Sequence, residues 1–255
     1  MPAFRPAGAE LKLGATLTAW EGTGPLVRLT VVRGLCYGQR DAGSLCMAEI
    51  LKVKDLGLEA ILRRAALLIS TGKVVAIPTD TVYGLGADPF NLAAVTEVFR
   101  VKGRTPARPL PLLVNSLDQA SELTLNPPAP FFSLAKKYWP GPLTIVVPAS
   151  RLVPLKVTAN TGKVGLRWPR APLAVALIGA MGHALTGTSA NLTDHPVCRS
   201  AEEVESQIGR LLPLIVDGGP TGDDLASTVV DLTEPSPRVL RYGPIAEDEL
   251  KEFLG

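Results

Sequence analysis

Apolar positions along this chain recur in two rhythms. Between residues 58 and 70, Leu58, Ile61, Leu62, Ala65, Leu68 and Ile69 share one side of a 3.6-residue period, with Arg63 and Arg64 opposite. Gly72 follows as a stop, so the pattern predicts an amphipathic helix. The unbroken run Lys73-Val-Val-Ala-Ile-Pro reads instead as a buried strand. Asn91 stands where it can cap a helix running through Val95, Val98 and Phe99. Residues 110–114 read as another buried strand. Residues 131–139 read as a helix stopped by Pro140-Gly-Pro, and residues 143–148 return as strand. A short strand over 164–168 and an apolar helix over 173–181 come next. Ser200 and Glu203 have the spacing of a capping box, ahead of a helix reaching Leu212. Strands over 214–217, 227–232 and 238–242 close the chain. Helices and strands alternate irregularly, which predicts a single α/β domain with an open, twisted, mixed β-sheet and flanking helices.

Residues 1–46 lack such a rhythm and scatter glycine and proline. They hold Arg5, Lys12, Arg28, Arg33 and Arg40 against Glu10, Glu21 and Asp41, so positions 47–255 carry equal numbers of basic and acidic groups. Met47 opens a segment that reads like a normal start. The expectation is an N-terminal extension over 1–46, disordered or an over-called start, and a catalytic domain over 47–255. Three acidic residues and few serines argue against a targeting peptide.

Composition changes the picture little. At 46% hydrophobic and 20% charged, the chain can fill a sizeable core, and a net charge of +2 demands neither nucleic acid nor membrane. Cys36, Cys46 and Cys198 show no paired spacing, which fits a reduced, cytoplasmic setting. No apolar run approaches the ~20 residues of a membrane span. His195 and Cys198 sit three apart, but two ligands do not complete a tetrahedral set, so no protein metal site is expected.

Candidate chemistry lies in the interruptions between elements. Thr71-Gly72-Lys73 and Thr161-Gly162-Lys163 are not P-loops, because Leu67 and Val157 replace the first glycine and no Ser or Thr follows. Pro78-Thr-Asp-Thr-Val-Tyr-Gly-Leu-Gly86 follows a buried strand, the end at which α/β proteins place ligands, and its hydroxyls suit an amino-acid-sized molecule. Lys102, Arg104 and Arg108 crowd a loop broken by glycine and proline. Their mutual repulsion is relieved by an anion, and guanidinium forks match phosphate oxygens. Thr186-Gly-Thr-Ser189-Ala-Asn191 supplies hydroxyls, an amide and open backbone of the kind that cradles phosphate and ribose. Arg167, inside an apolar strand, needs an anionic partner, either a substrate carboxylate or a structural Asp. Ser227 and Arg241 add a hydroxyl and a cation near strand ends.

In order, the motifs PTDTVYGLG, KGR, WPGPLT, GLRWP, TSAN, STVVD and RYG, spread over 78–243, resemble the YrdC family, the L-threonylcarbamoyladenylate synthases. The chain ends soon after RYG, which resembles the short form of that family without its C-terminal domain. The resemblance implies a YrdC-like fold and a nucleotidyltransferase. Such an enzyme makes L-threonylcarbamoyl-AMP from L-threonine, bicarbonate and ATP, releases pyrophosphate, and serves t6A37 modification in tRNA processing. It implies that Thr81, Arg167 and Ser227 contact threonine. Lys102, Arg104, Arg108, Lys163, Ser189, Asn191 and Arg241 would bind ATP, with Lys102 and Arg104 as the catalytic pair. Mg2+ would arrive on ATP, and a threonylcarbamoyl transferase complex would receive the product. Leu113 falls where some longer members carry a histidine near threonine.

No residue reads as a nucleophile or tuned base, so catalysis is expected to be positioning and charge neutralisation. The rival reading is an RNA-binding module, for tRNA or double-stranded RNA, in which the same cations grip backbone phosphates in a salt-sensitive way. A paralogue using carbamoyl phosphate, as in hydrogenase-maturation proteins, would need zinc and acylphosphatase parts that this sequence lacks.

Overall fold

The computed structural model describes residues 47–222 and 225–254; the expected extension over 1–46 lies outside the described residues. In chain order the first half forms β1 (Glu49–Lys52), α1 (Val53–Leu56), α2 (Leu58–Ser70), β2 (Val75–Ile77), β3 (Gly84–Gly86), α3 (Leu92–Lys102), β4 (Leu112–Leu113) and α4 (Leu117–Glu122). It continues with α5 (Ala129–Tyr138), β5 (Leu143–Pro148), α6 (Leu155–Thr158), β6 (Lys163–Arg167) and α7 (Pro172–Met181). The last part holds β7 (Leu185–Thr186), β8 (Thr188–Ser189), α8 (Ala201–Ile208), a 3-10 turn (Gly209–Leu211), β9 (Leu214–Asp217), β10 (Thr228–Asp231), β11 (Arg238–Arg241) and α9 (Glu247–Leu254).

The strands divide between two open mixed sheets, ordered β1-β9-β2-β3-β8 and β11-β10-β5-β6-β4-β7, where the sequence pattern predicts one. One short run joins them. Leu185 and Thr186 pair with β4 in the second sheet, and two residues later Thr188 and Ser189 pair with β3 in the first. Gly187 makes the crossing. A Cβ there would stand 2.5 Å from Leu113 Cγ, so only glycine fits. Thr186 adds a tie, donating its hydroxyl to the Leu85 carbonyl at 2.7 Å.

Two apolar clusters hold this frame. One stacks Ile61, Ala65, Leu68 and Ile69 of α2 on Leu173, Leu177 and Ile178 of α7, against Val75, Ile77, Leu214 and Val216 of the first sheet. Leu58, grouped with that face by sequence, is exposed because it begins the helix at its outer end. The other gathers Val95, Val98 and Phe99 of α3, Phe131 and Leu134 of α5, and Leu143 and Ile145 of β5. Burying each such side chain contributes roughly 1.5–3 kcal/mol. The capped helix ends match the sequence: Asn91 accepts from the Ala93 and Ala94 amides, and Ser200 from the Glu203 amide. The last helix before β9, expected to reach Leu212, leaves α-geometry at Ile208 and tightens into the 3-10 turn.

Candidate active site

A cleft of about 560 Å³ opens on the second sheet. Its floor is made by alternate residues of neighbouring strands, which point to one face: Thr144 and Val146 of β5, Gly165 and Arg167 of β6, Ser227 beside β10 and Val229 on it. The loop after β2 brings Thr79 and Thr81 to one rim. The C-terminal end of α3 and the loop after it bring Lys102, Arg104 and Arg108 to another. Ser189, Asn191 and Arg241 complete the wall, so every residue expected from the sequence to touch threonine or ATP lines this one cleft.

Arg167 is the best-anchored cation. Its Nη2 pairs with Asp80 Oδ1 at 2.6 Å, Nη1 donates to Thr81 Oγ1 at 2.9 Å, and Nε donates to the Gly141 carbonyl at 3.0 Å. The structural carboxylate foreseen as one alternative for Arg167 is therefore Asp80, and it holds the guanidinium plane against the cleft. Thr79 fixes the loop that carries both partners, donating to the Val82 carbonyl at 2.6 Å.

Lys102 is only 4% exposed, and its ammonium is enclosed by protein oxygens. It lies 2.6 Å from the Ser189 carbonyl, 3.0 Å from the Asn191 carbonyl, 3.2 Å from Asn191 Oδ1 and 3.4 Å from Ser189 Oγ. Burial, and then the neighbouring Arg104, push its pKa down to about 8. Gly103, at φ 58°, ends α3 in a Schellman turn: its amide bonds the Arg100 carbonyl and the Arg104 amide bonds the Phe99 carbonyl. That turn aims Lys102 at the TSAN run and swings Arg104 into the cleft.

Arg104 donates to the Pro109 carbonyl at 2.8 Å and contacts Thr188 Oγ1 at 3.4 Å, while its buried Nε has no partner among the described residues. Burial first, then Arg108 and Arg241, lower its pKa. Arg241 is held by Ser227, Nε to the carbonyl at 3.0 Å and Nη2 to Oγ at 3.2 Å. Burial, then Arg167, lowers its pKa in turn. Among the described residues Arg104, Arg108 and Arg241 have no carboxylate partner, so the cleft carries uncompensated positive charge.

Three sequence expectations change weight. Lys163 lines the cleft, but its ammonium is engaged by Glu234 at 2.8 Å and Asp231 at 3.6 Å. Asn191 spends its amide donors on the Leu192 and His195 carbonyls at 2.9 and 2.7 Å. Tyr83, counted among the loop's ligand-binding hydroxyls, is wholly buried and donates to the Gly219 carbonyl at 2.8 Å. Thr144, Thr188 and Asp80 were not singled out by sequence. All three lie inside quoted motifs, yet nothing in the chain order signals which side chains they meet.

One cleft thus joins an anchored Arg167 to guanidinium groups that have no carboxylate partner among the described residues, and the chain that forms it belongs to the Sua5/YciO/YrdC family. The family model Sua5_yciO_yrdC, described as "Telomere recombination", matches residues 67–243. The chain is similar to the threonylcarbamoyl-AMP synthase of Pyrococcus abyssi, 38% identical over 209 residues, covering 82% of this chain and 62% of that protein. It is also similar to a putative threonylcarbamoyl-AMP synthase of Mycobacterium tuberculosis, 37% identical over 187 residues, covering 73% of this chain and 86% of that one. The solved structure of P. abyssi Sua5 complexed with L-threonine superposes with a TM-score of 0.78 at 38% identity, over 82% of this chain and 61% of that one. The chain thus spans less than two thirds of the length of the P. abyssi relative.

Proposed function

We propose that this chain joins L-threonine, bicarbonate and ATP into L-threonylcarbamoyl-AMP and pyrophosphate, acting as a nucleotidyltransferase. The amine of threonine and bicarbonate give an N-carboxylate and water; a carboxylate oxygen then attacks the α-phosphorus of ATP and pyrophosphate leaves. The carrying observation is that Arg167, fixed by Asp80 and Thr81, shares one cleft with Arg104, Arg108 and Arg241, which lack carboxylate partners among the described residues. Arg167, Thr81 and Ser227 suit an amino-acid carboxylate and hydroxyl. Arg104, Arg108 and Arg241 suit phosphate oxygens, by bidentate charge-assisted bonds.

Lys102 acts in this reading by holding Ser189 and Asn191 in place, so its catalytic contribution is positional. Ser189 keeps its hydroxyl at the cleft wall for the nucleotide. Magnesium enters on the phosphates of ATP. Among the described residues no group of three or more His, Cys, Asp or Glu stands together as a resident site. Asp80 faces Arg167, and the cleft carboxylate Asp231 faces Lys163. The relatives' names, and the threonine in the P. abyssi structure, support the substrate. Transfer of the product to tRNA by a threonylcarbamoyl transferase complex, in the cytoplasm, belongs to the same proposal. No described helix is long and apolar enough to cross a membrane.

Radiolabelled bicarbonate tests the reaction directly. Label should enter a threonine- and adenosine-containing product, by mass spectrometry, only when threonine and ATP are both present. Label-free product, or none, together with salt-sensitive RNA binding, would favour the RNA-binding alternative.

A further inference from the structure

Two buried polar atoms have no hydrogen-bond partner among the described residues, Arg104 Nε and Thr193 Oγ1, and both residues line the cleft. The proposed phosphate contacts engage Arg104. Thr193 lies just past the TSAN run, on a turn that the proposed reaction leaves idle. The turn closes where the His195 amide donates to the Leu192 carbonyl at 3.1 Å, and its third residue, Asp194, lines the cleft as well.

This turn is held from three sides. The Thr193 amide donates to the Lys102 carbonyl at 2.9 Å, and Asn191 Nδ2 donates to the His195 carbonyl at 2.7 Å. Gln207 of α8 accepts from the Leu192 amide at 3.3 Å and donates to the Pro196 carbonyl at 3.0 Å. So held, Asp194 stands at φ 64°, exposed, and makes no ion pair among the described residues.

An orphan hydroxyl is a poor structural device. Its burial costs solvation that no protein bond returns, and a methyl of the same shape would pack there without that cost. The carboxylate beside it can only accept. Together they suit two neighbouring O–H groups, one donating to Asp194 and the other exchanging a hydrogen bond with Thr193. A metal ion is ill served by one carboxylate and one hydroxyl, far short of a six-oxygen shell. The place of the turn identifies the diol. Thr193 is bonded through Lys102 to the segment that carries Arg104. Phosphate oxygens on Arg104 therefore leave the sugar, one methylene from the α-phosphate, to the adjoining wall.

We infer that Thr193 and Asp194 hold the 2′- and 3′-hydroxyls of the ATP ribose and make this chain select ribonucleotides. This rests on the reading of the cleft as an ATP site.

The test is calorimetric binding of ATP, 2′-deoxy-ATP, 3′-deoxy-ATP and inosine triphosphate to the full chain, as wild type, Thr193→Val, Thr193→Ser and Asp194→Gly. Wild type should bind each deoxynucleotide about tenfold or more weakly than ATP, the loss of one hydrogen bond in a site built for it. Thr193→Val and Asp194→Gly, the latter suited to a left-handed turn, should each weaken ATP about tenfold and close the gap to one deoxynucleotide to within about twofold. Thr193→Ser should restore the wild-type affinity. Without nucleotide, Thr193→Val should melt no lower than wild type, since it removes an orphan; a hydroxyl with only a structural role would lower it. No gap in wild type, or gaps unchanged in both variants, overturns the sugar seat while ATP binding stands. A gap that opens and closes with inosine triphosphate instead assigns the pair to the base and overturns the seat as well. A wild type that binds none of the four overturns the ATP reading itself.

Discussion

Lys102 shows how a side chain named from sequence acquires a different duty in three dimensions. The sequence reveals a cation beside Arg104 and invites a phosphate. It does not reveal that four oxygens of Ser189 and Asn191 enclose the ammonium, because that meeting depends on how α3 and β8 are brought together. The lowered pKa has two consequences of opposite sense. An unfolded lysine titrates at 10.5 and the folded one near 8, so between those values the unfolded chain binds more protons. Lys102's contribution to stability therefore rises with pH across that window. The neutral amine meanwhile donates fewer hydrogen bonds to the TSAN run, so turnover should decline on an alkaline limb near pH 8. Lys102→Arg should move that limb upward, as pH profiles of kcat/KM would show. A limb that stays in place in that variant contradicts the assignment. Arg104→Ala, by contrast, should cut pyrophosphate release roughly a hundredfold or more with melting unchanged, since it removes a donor from developing phosphate charge. Near-normal turnover would remove Arg104 from the site.

At the scale of elements, long periodic segments were legible and short strands were not. The helix over α2, the strand β5 and the capped start of α3 follow from period, run length and Asn91. β3, β7 and β8 span two or three residues each, too few to show any period, and exist because their partners fix them. The run from Leu185 to Ser189 therefore shows no period in sequence while forming the link between sheets. Gly187→Ala should destabilise the chain by about 1–3 kcal/mol through overlap with Leu113. Leu113→Ala in the same chain should recover part of the loss; denaturant unfolding of the two variants measures it, and additive losses would contradict the overlap. Ile61→Ala, at the α2–α7 contact, should cost about 2–5 kcal/mol without changing the substrate KM values of the folded fraction.

For the molecule as a whole, the sequence conveyed the class and the membership of the cleft better than its wiring. Seven ordered motifs all end at one place because β5, β6 and β10 present alternate side chains to one face while two loops close over it. The division into two sheets was hidden, since it turns on a single glycine, and so were the Asp80–Arg167 and Thr144–Ser227 contacts, which join residues more than eighty positions apart. Uncompensated guanidinium charge beside an anchored amino-acid pocket is the central claim, and its direct measurement is pyrophosphate release from ATP with threonine and bicarbonate omitted in turn. Release that needs both, and that L-serine supports poorly, is the expected result. Release indifferent to either, or absent throughout, would contradict it.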